Sequence, residues 1–246
     1  GSEVNEASRI ATETASIQDQ EQQGVVATAV STLSADLRAA LRYIAADRRL
    51  LTVIGMVGAH CSLTMAFDSM LPSLSDKVGG SEGLYGSILI ALGAGALVGT
   101  LGVSQIRRAS TRAMSFIATG VVSGLAIVLL GMATSRNLVL PAAVLAGLSQ
   151  AGYMALSATL VQGVVADKFR GRVMSFYIMI AAGHMAILNL GFGQIAEVVD
   201  VRVLLVIPGL LWVVLFLGFA LTLPEARSVA FKGQFTHDEQ LEGDVD

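Results

Sequence analysis

His60, Thr64 and Asp68 recur every four residues through an otherwise apolar run, the spacing that lays a polar stripe along one side of a helix. An imidazole, a hydroxyl and a carboxylate on one face can pass a proton or hold a cationic group. Pro72 follows closely. It has no N–H to give the carbonyl four residues back, so the sequence predicts a kink and a freed carbonyl at Asp68, an oxygen-rich spot beside the carboxylate. Asp68 is read either as part of that spot or as reaching the outer water surface where the helix ends. His60 alone reads first as a packed, hydrogen-bonded residue. Farther on, Gln150, Tyr153 and Ser157 share a helix face with Gly147 beside them, and uncharged polar groups at that depth serve either as interhelical hydrogen bonds or as a cavity lining. Tyr177, His184 and Gly191 lie seven residues apart on another face, with Asn189 elsewhere on the helix. A histidine there is either buried and neutral or titrates between pH 5 and 8 as part of a proton-coupled cycle.

Catalysis is a poor match to these residues. No nucleophile stands beside a base, and His60 and Asp68 are two turns apart, too far for a direct hydrogen bond. No C-x-x-C or His-rich cluster marks a metal, and the single Cys61 reads as a buried free thiol. Neither an enzyme, a cofactor, a metal nor a nucleic-acid partner is expected.

The elements that must carry these groups follow from composition. With 54% hydrophobic and only 14% charged residues, and a mean hydropathy of +0.68, the chain is too apolar for a water-soluble domain of this length. Six apolar runs, at about 50–74, 85–106, 113–133, 138–165, 173–198 and 203–223, each reach the roughly 20 residues that cross a bilayer. The second carries Ser87, Ala91, Gly95 and Gly99 on one face, with Gly102 extending it. Such small-residue grooves pack helices closely in lipid. The third and sixth runs have no ionisable residue and read as supporting helices. Residues 1–33 read as a flexible tail or linker remnant and 226–246 as an acidic disordered tail. A chain opening on Gly-Ser rather than Met is expected either to carry a cloning scar or to be an excised piece. Over 34–49, Leu37, Leu41 and Ile44 oppose Arg38 and Arg42, the pattern of an amphipathic helix lying on the membrane surface.

Charge sets the orientation. Thirteen of the sixteen Lys and Arg lie in the tails and in the connections at 107–112 and 167–172, leaving Lys77, Arg136 and Arg202 for the other side. Bases stay in the cytoplasm, so both termini are expected there. The densest knot is D-K-F-R-G-R-V-M-S over Asp167–Ser175, where Gly171 is expected to tighten the turn before helix resumes.

That knot, an acidic residue followed by R-G-R-V-x-S at the start of an apolar helix, resembles the connection between the tenth and eleventh helices of the major facilitator superfamily. The branch it resembles most is that of bacterial siderophore and macrolide exporters. D-L-R-A-A-L-R-Y-I-A-A-D-R-R-L-L over Asp36–Leu51 resembles the lead-in to the seventh helix of that branch. The resemblance covers roughly 34–225. At S-Q-I-R-R-A-S-T-R after Gly102 the chain lacks the acidic residue of the family's loop signature. The resemblance implies an all-α membrane protein: six transmembrane helices over 50–225, as two inverted three-helix repeats, preceded by the surface helix. The first, second, fourth and fifth spans would then lie near a central cavity and the third and sixth outside. It further implies a secondary active transporter half, working by alternating access and exporting a small organic molecule in exchange for protons from a bacterial inner membrane. Asp167, Arg170 and Arg172 would belong to a cytoplasmic gate. The partners implied are the bilayer, the substrate, protons, and a missing amino-terminal half or a second copy. The contrasting expectation is a non-transporting six-span scaffold or regulatory module, or an inactive fragment.

Overall fold

The structure, a computed structural model, describes residues 35–79, 83–224 and 226–227. The expected tails at 1–33 and 226–246 therefore lie almost wholly outside the described residues. Six helical segments are long and apolar enough to cross a membrane: Arg48–Lys77, Leu84–Ser104, Ala109–Met132, Arg136–Val164, Asp167–Ile195 and Val201–Thr222. No strand occurs among the described residues.

Helix α1 runs over 35–46, with Arg38, Leu41 and Arg42 exposed. Its chain belongs largely to a first unit ending at Tyr43, while the six spans lie in a second, Ile44–Asp246. Asp47 then caps α2 (Arg48–His60), its carboxylate accepting the Arg49 amide at 2.9 Å. Partial burial raises the Asp47 pKa, but the Arg49 guanidinium and amide outweigh it and hold the carboxyl below its ordinary value.

The first span is made of pieces. After α2 come a π-helical turn (Cys61–Met65), a 3-10 turn (Asp68–Met70) and the short α3 (Leu71–Lys77). The other five are continuous helices: α4 (Leu84–Ser104), α5 (Ala109–Met132), α6 (Arg136–Val164), α7 (Asp167–Ile195) and α8 (Val201–Thr222). Gly79 and Gly83, both at positive φ, bracket the connection between the first two spans. There the left-handed backbone needs a residue without Cβ.

Packing is closest where glycines let backbones touch, since lipid gives apolar surfaces no reason to leave it. A Cβ on Gly147 of α6 would meet the Leu92 carbonyl carbon at 2.8 Å, and one on Gly95 of α4 would meet the Leu148 amide at 2.9 Å. Gly99 faces the Leu148 backbone in the same way. Gly102 does not. Nothing lies within 4 Å of its missing Cβ, whereas Val103 beside it stands 3.5 Å from the missing Cβ of Gly152 on α6, so Gly102 is turned away from that helix and its expected packing role is corrected. On the other side of the bundle Gly124 and Gly209 bring α5 and α8 together, each missing Cβ within 2.8 Å of the other's carbonyl oxygen.

The main pairings are α4 with α6, α5 with α6, and α5 with α8, with the first span seated on α6, α7 and α8. Exchange the first three spans for the last three and this set maps onto itself: second on fourth becomes fifth on first, third on fourth becomes sixth on first. Burial follows the same symmetry. The most apolar stretches of the first and fourth spans are 61% and 50% buried inside the bundle, against 22% and 17% for the second and fifth. The first and fourth are thus the inner helices, and the second and fifth are turned outward.

Candidate functional site

The stretch S-L-T-M-A-F-D-S-M-L-P over Ser62–Pro72 explains the interruption of the first span. Thr, Asp and Ser side chains compete for backbone hydrogen bonds, and proline cannot supply one. Thr64 donates to the His60 carbonyl at 2.9 Å inside the π turn. Ala66 (φ −84°, ψ 51°) and Phe67 (φ −123°, ψ −1°) then leave helical geometry altogether. The break thus falls at Ala66 and Phe67, immediately before the kink expected at Asp68. Pro72 itself sits in the first turn of α3, where its missing N–H costs nothing. The Asp68 carbonyl is not free either, because the Leu71 amide takes it in a 3-10 turn.

Broken backbone is tolerated at membrane depth only where protein groups satisfy it. Two amide side chains on different helices do so here. Gln150 of α6, almost fully buried, donates from Nε2 to the Thr64 carbonyl at 2.6 Å. Asn189 of α7 accepts the Ser69 amide on Oδ1 at 3.0 Å, and its own carbonyl accepts the Ser69 hydroxyl at 2.9 Å. Gln150 is thus an interhelical bond rather than a cavity wall. Asn189, which the heptad spacing of Tyr177, His184 and Gly191 leaves aside, is one of the two residues that stitch the break.

The predicted stripe of His60, Thr64 and Asp68 is divided by this geometry. His60 and Thr64 are buried, whereas Asp68 is exposed at the start of the 3-10 turn, next to the Ser69 that Asn189 holds. The π turn and the non-helical pair rotate it off the shared face. His60 is fully enclosed, its ring 4.4 Å from that of Tyr153 and 4.9 Å from that of Trp212. Its Nε2 lies 3.1 Å from Ser123 Oγ. Ser123 donates to the Gly120 carbonyl, and the Trp212 indole N–H is shared between that carbonyl and Ser123. With the Ser123 proton so directed, His60 Nε2 is the donor and Nδ1 an acceptor without a hydrogen-bond partner among the described residues. Ser123 and Trp212 belong to the third and sixth spans. Those helices do more than support: they supply the polar seat of a buried histidine. A serine at mid-span in the third run was the available signal.

Tyr153 is fully buried in the same aromatic cluster, and the Ser157 hydroxyl is occupied by the Tyr153 carbonyl. Tyr177 donates to the Met154 carbonyl at 3.2 Å. His184 is exposed, its Nδ1 donating to the Ile180 carbonyl at 2.8 Å, and its ring passes over Gly58 of the first span. Asp167, Arg170 and Arg172 are remote, since Asp167 is 22 residues before Asn189 on one helix, about 33 Å at 1.5 Å per residue. They do not sit in a loop. Helix α7 begins at Asp167 and includes Gly171, so the expected glycine turn is corrected. Asp167 and Arg170 pair at 2.6 Å across one helical turn, with side chains 88% and 49% exposed. A cavity of about 360 Å³ lies between α5 and α6, lined by Leu129, Met132, Asn137, Pro141 and Leu145 among others, away from all the residues above.

The pattern is six crossings, inner first and fourth helices, and a backbone break held by amides. The sequence profile of the family described as transmembrane secretion effector, within the major facilitator superfamily, matches residues 4–246. The chain belongs to this family. It is therefore a multi-pass membrane protein of a transporter family. Neither the comparison with curated proteins nor that with solved structures returns a match.

Proposed function

We propose that this chain forms one six-span half of a secondary active transporter that exports a small organic molecule in exchange for protons. It would lie in a bacterial inner membrane with both termini in the cytoplasm. Family membership supports transport. The observation that supports the finer reading is the interrupted first span, in which Asp68 is exposed while the backbone at Thr64 and Ser69 is held by two neighbouring helices. Discontinuous helices at mid-membrane are where transporters bind substrate and coupling ions. Asp68 and the exposed His184 are assigned to the proton or substrate path, on the side where a second half would close the cavity. His60, Thr64, Gln150, Tyr153 and Tyr177 are sealed within the bundle, and their role in the cycle is to hold the inner helices as the halves rock. The Asp167–Arg170 pair and Arg172, at the start of the fifth span, are assigned to the cytoplasmic gate.

The test is flux through proteoliposomes holding this half together with its companion half under an imposed pH gradient. Asp68→Asn should abolish the pH dependence of flux and leave the folded protein intact. Unchanged flux across pH would sink the assignment of Asp68. Flux from liposomes holding this chain alone would instead identify a second copy as the companion.

A further inference from the structure

Three soft sulfur atoms from two spans converge at the π turn. Cys61 Sγ lies 3.9 Å from Met65 Sδ on its own turn and 3.9 Å from Met154 Sδ on α6. The π turn sets this up by carrying Cys61 and Met65 toward α6 at the point where regular helix ends. Metal–thiolate bonds are about 2.3 Å long, and three of that length in a plane space the sulfurs about 4 Å apart. The separations from Cys61 Sγ to the two thioether sulfurs, 3.9 Å each, are those of two sides of such a triangle. Tyr177 closes the α7 side, its hydroxyl held on the Met154 carbonyl. Cys61 is buried, while Met65 and Met154 are half-buried, so an ion can reach the site past the thioethers.

The geometry points to a binding site for one soft monovalent cation, copper(I) or silver(I), held by Cys61, Met65 and Met154. Thiolate and thioether ligands select such ions. Charge fixes the valence. Binding breaks the Cys61 S–H bond, forms a sulfur–metal bond and releases the proton to water, while the two thioethers donate lone pairs and nothing changes oxidation state. One thiolate neutralises one positive charge, so the loaded site is neutral inside the bundle. A divalent ion would leave an uncompensated charge there, which is expensive. No group of three His, Cys, Asp or Glu that could hold such an ion occurs among the described residues. The site is independent of the transport reading, because it requires no substrate and no companion half.

The test is anaerobic titration of the detergent-purified chain with copper(I) against a competing chelator, and in parallel with silver(I) and zinc(II). One copper(I) or silver(I) per chain and no zinc(II) is expected, with X-ray absorption giving three sulfurs at about 2.3 Å. Cys61→Ser should weaken copper(I) by more than about 100-fold, beyond what an outer-shell change does. Met65→Leu and Met154→Leu conserve volume and apolarity, so the fold should persist, and each should weaken binding about tenfold, within the range for losing a supporting group. Equal affinity in the Met65→Leu/Met154→Leu double variant would mean binding by the thiol alone and overturn the site. So would one equivalent retained by Cys61→Ser, equally tight zinc(II), or no copper(I) bound at all.

Discussion

The first and fourth spans hold equivalent places in the bundle, and each contains a proline, yet one is broken and the other is not. Pro141 is the sixth residue of α6, which runs unbroken from Arg136 to Val164. Around it stand Leu138, Val139, Leu140, Ala142 and Ala143, side chains that offer the backbone no alternative partner, so a single lost hydrogen bond near the helix end is absorbed. Before Pro72 stand Thr64, Asp68 and Ser69, which compete with the ladder over two turns. Proline alone therefore does not decide the matter. What decides it is whether neighbouring helices supply amides to take over the released groups, and only the first span faces both Gln150 and Asn189.

The largest expected effect tests the intact member of the pair. Gly147→Leu inserts a side chain where a Cβ alone would meet the Leu92 carbonyl carbon at 2.8 Å. Backbone cannot give way as a side chain can. A loss of roughly 3 kcal/mol is expected, at the upper end of overpacking costs, read by reversible unfolding in bicelles. Gly102→Ala, with open space around it, is the control and should leave stability unchanged or slightly raised. If the two behave alike, close backbone approach is not what holds α4 to α6.

Next come the two stitches of the broken member. Gln150→Leu removes the 2.6 Å bond to the Thr64 carbonyl at nearly constant volume, and about 1 kcal/mol is expected, as for other hydrogen bonds between membrane helices. Hydrogen exchange should quicken over 64–70 and stay constant in the middle of α6. Asn189→Ala removes the acceptor of the Ser69 amide but leaves the hydroxyl bond to the residue-189 carbonyl. A smaller loss, of about 0.6 kcal/mol, is expected, with exchange quickened chiefly at Ser69. Unaltered exchange in both variants would mean that the interruption is fixed by its own sequence rather than by its neighbours.

How much of this could be read from the sequence depends on which force wrote it. Apolar run length reports the bilayer, so six crossings and their order were legible. It does not report helicity, which is why α7 begins at Asp167 although the apolar run begins near 173. The backbone hydrogen-bond ladder continues past the hydrocarbon boundary and takes the charged residues with it. The rotation of one helix against another leaves still less trace. Periodicity grouped His60 with Thr64 and Asp68, but their separation depends on a π turn whose cause is spread over Thr64, Ser69 and Pro72. The contacts of His60 with Ser123 and Trp212 span 63 and more residues of chain, and no local pattern encodes them.

The smallest effect concerns the far end of the broken span, where α3 is tied to the sixth helix rather than to the fourth. Lys77 Nζ donates to Asp200 at 2.6 Å, and Asp200 also accepts the Arg202 amide at 2.8 Å as the cap of α8. The bond from Lys77, then that from the Arg202 amide, hold the Asp200 carboxyl below its ordinary value of 3.8. A carboxyl whose pKa is lower folded than unfolded adds stability above the unfolded value, and that contribution is lost as pH falls through the folded one. The window thus lies below about pH 4. Both side chains are exposed, so the contribution is small and screened by salt. Asp200→Asn removes the titration and keeps a capping oxygen. In low salt, its stability should part from that of the parent at neutral pH and converge with it as pH falls through the lowered folded value of Asp200, where both side chains become uncharged at that position. A constant gap across that range would show that α3 is held by its buried Leu71 and Leu74 alone, and that the lower end of the broken span needs no ionic tie.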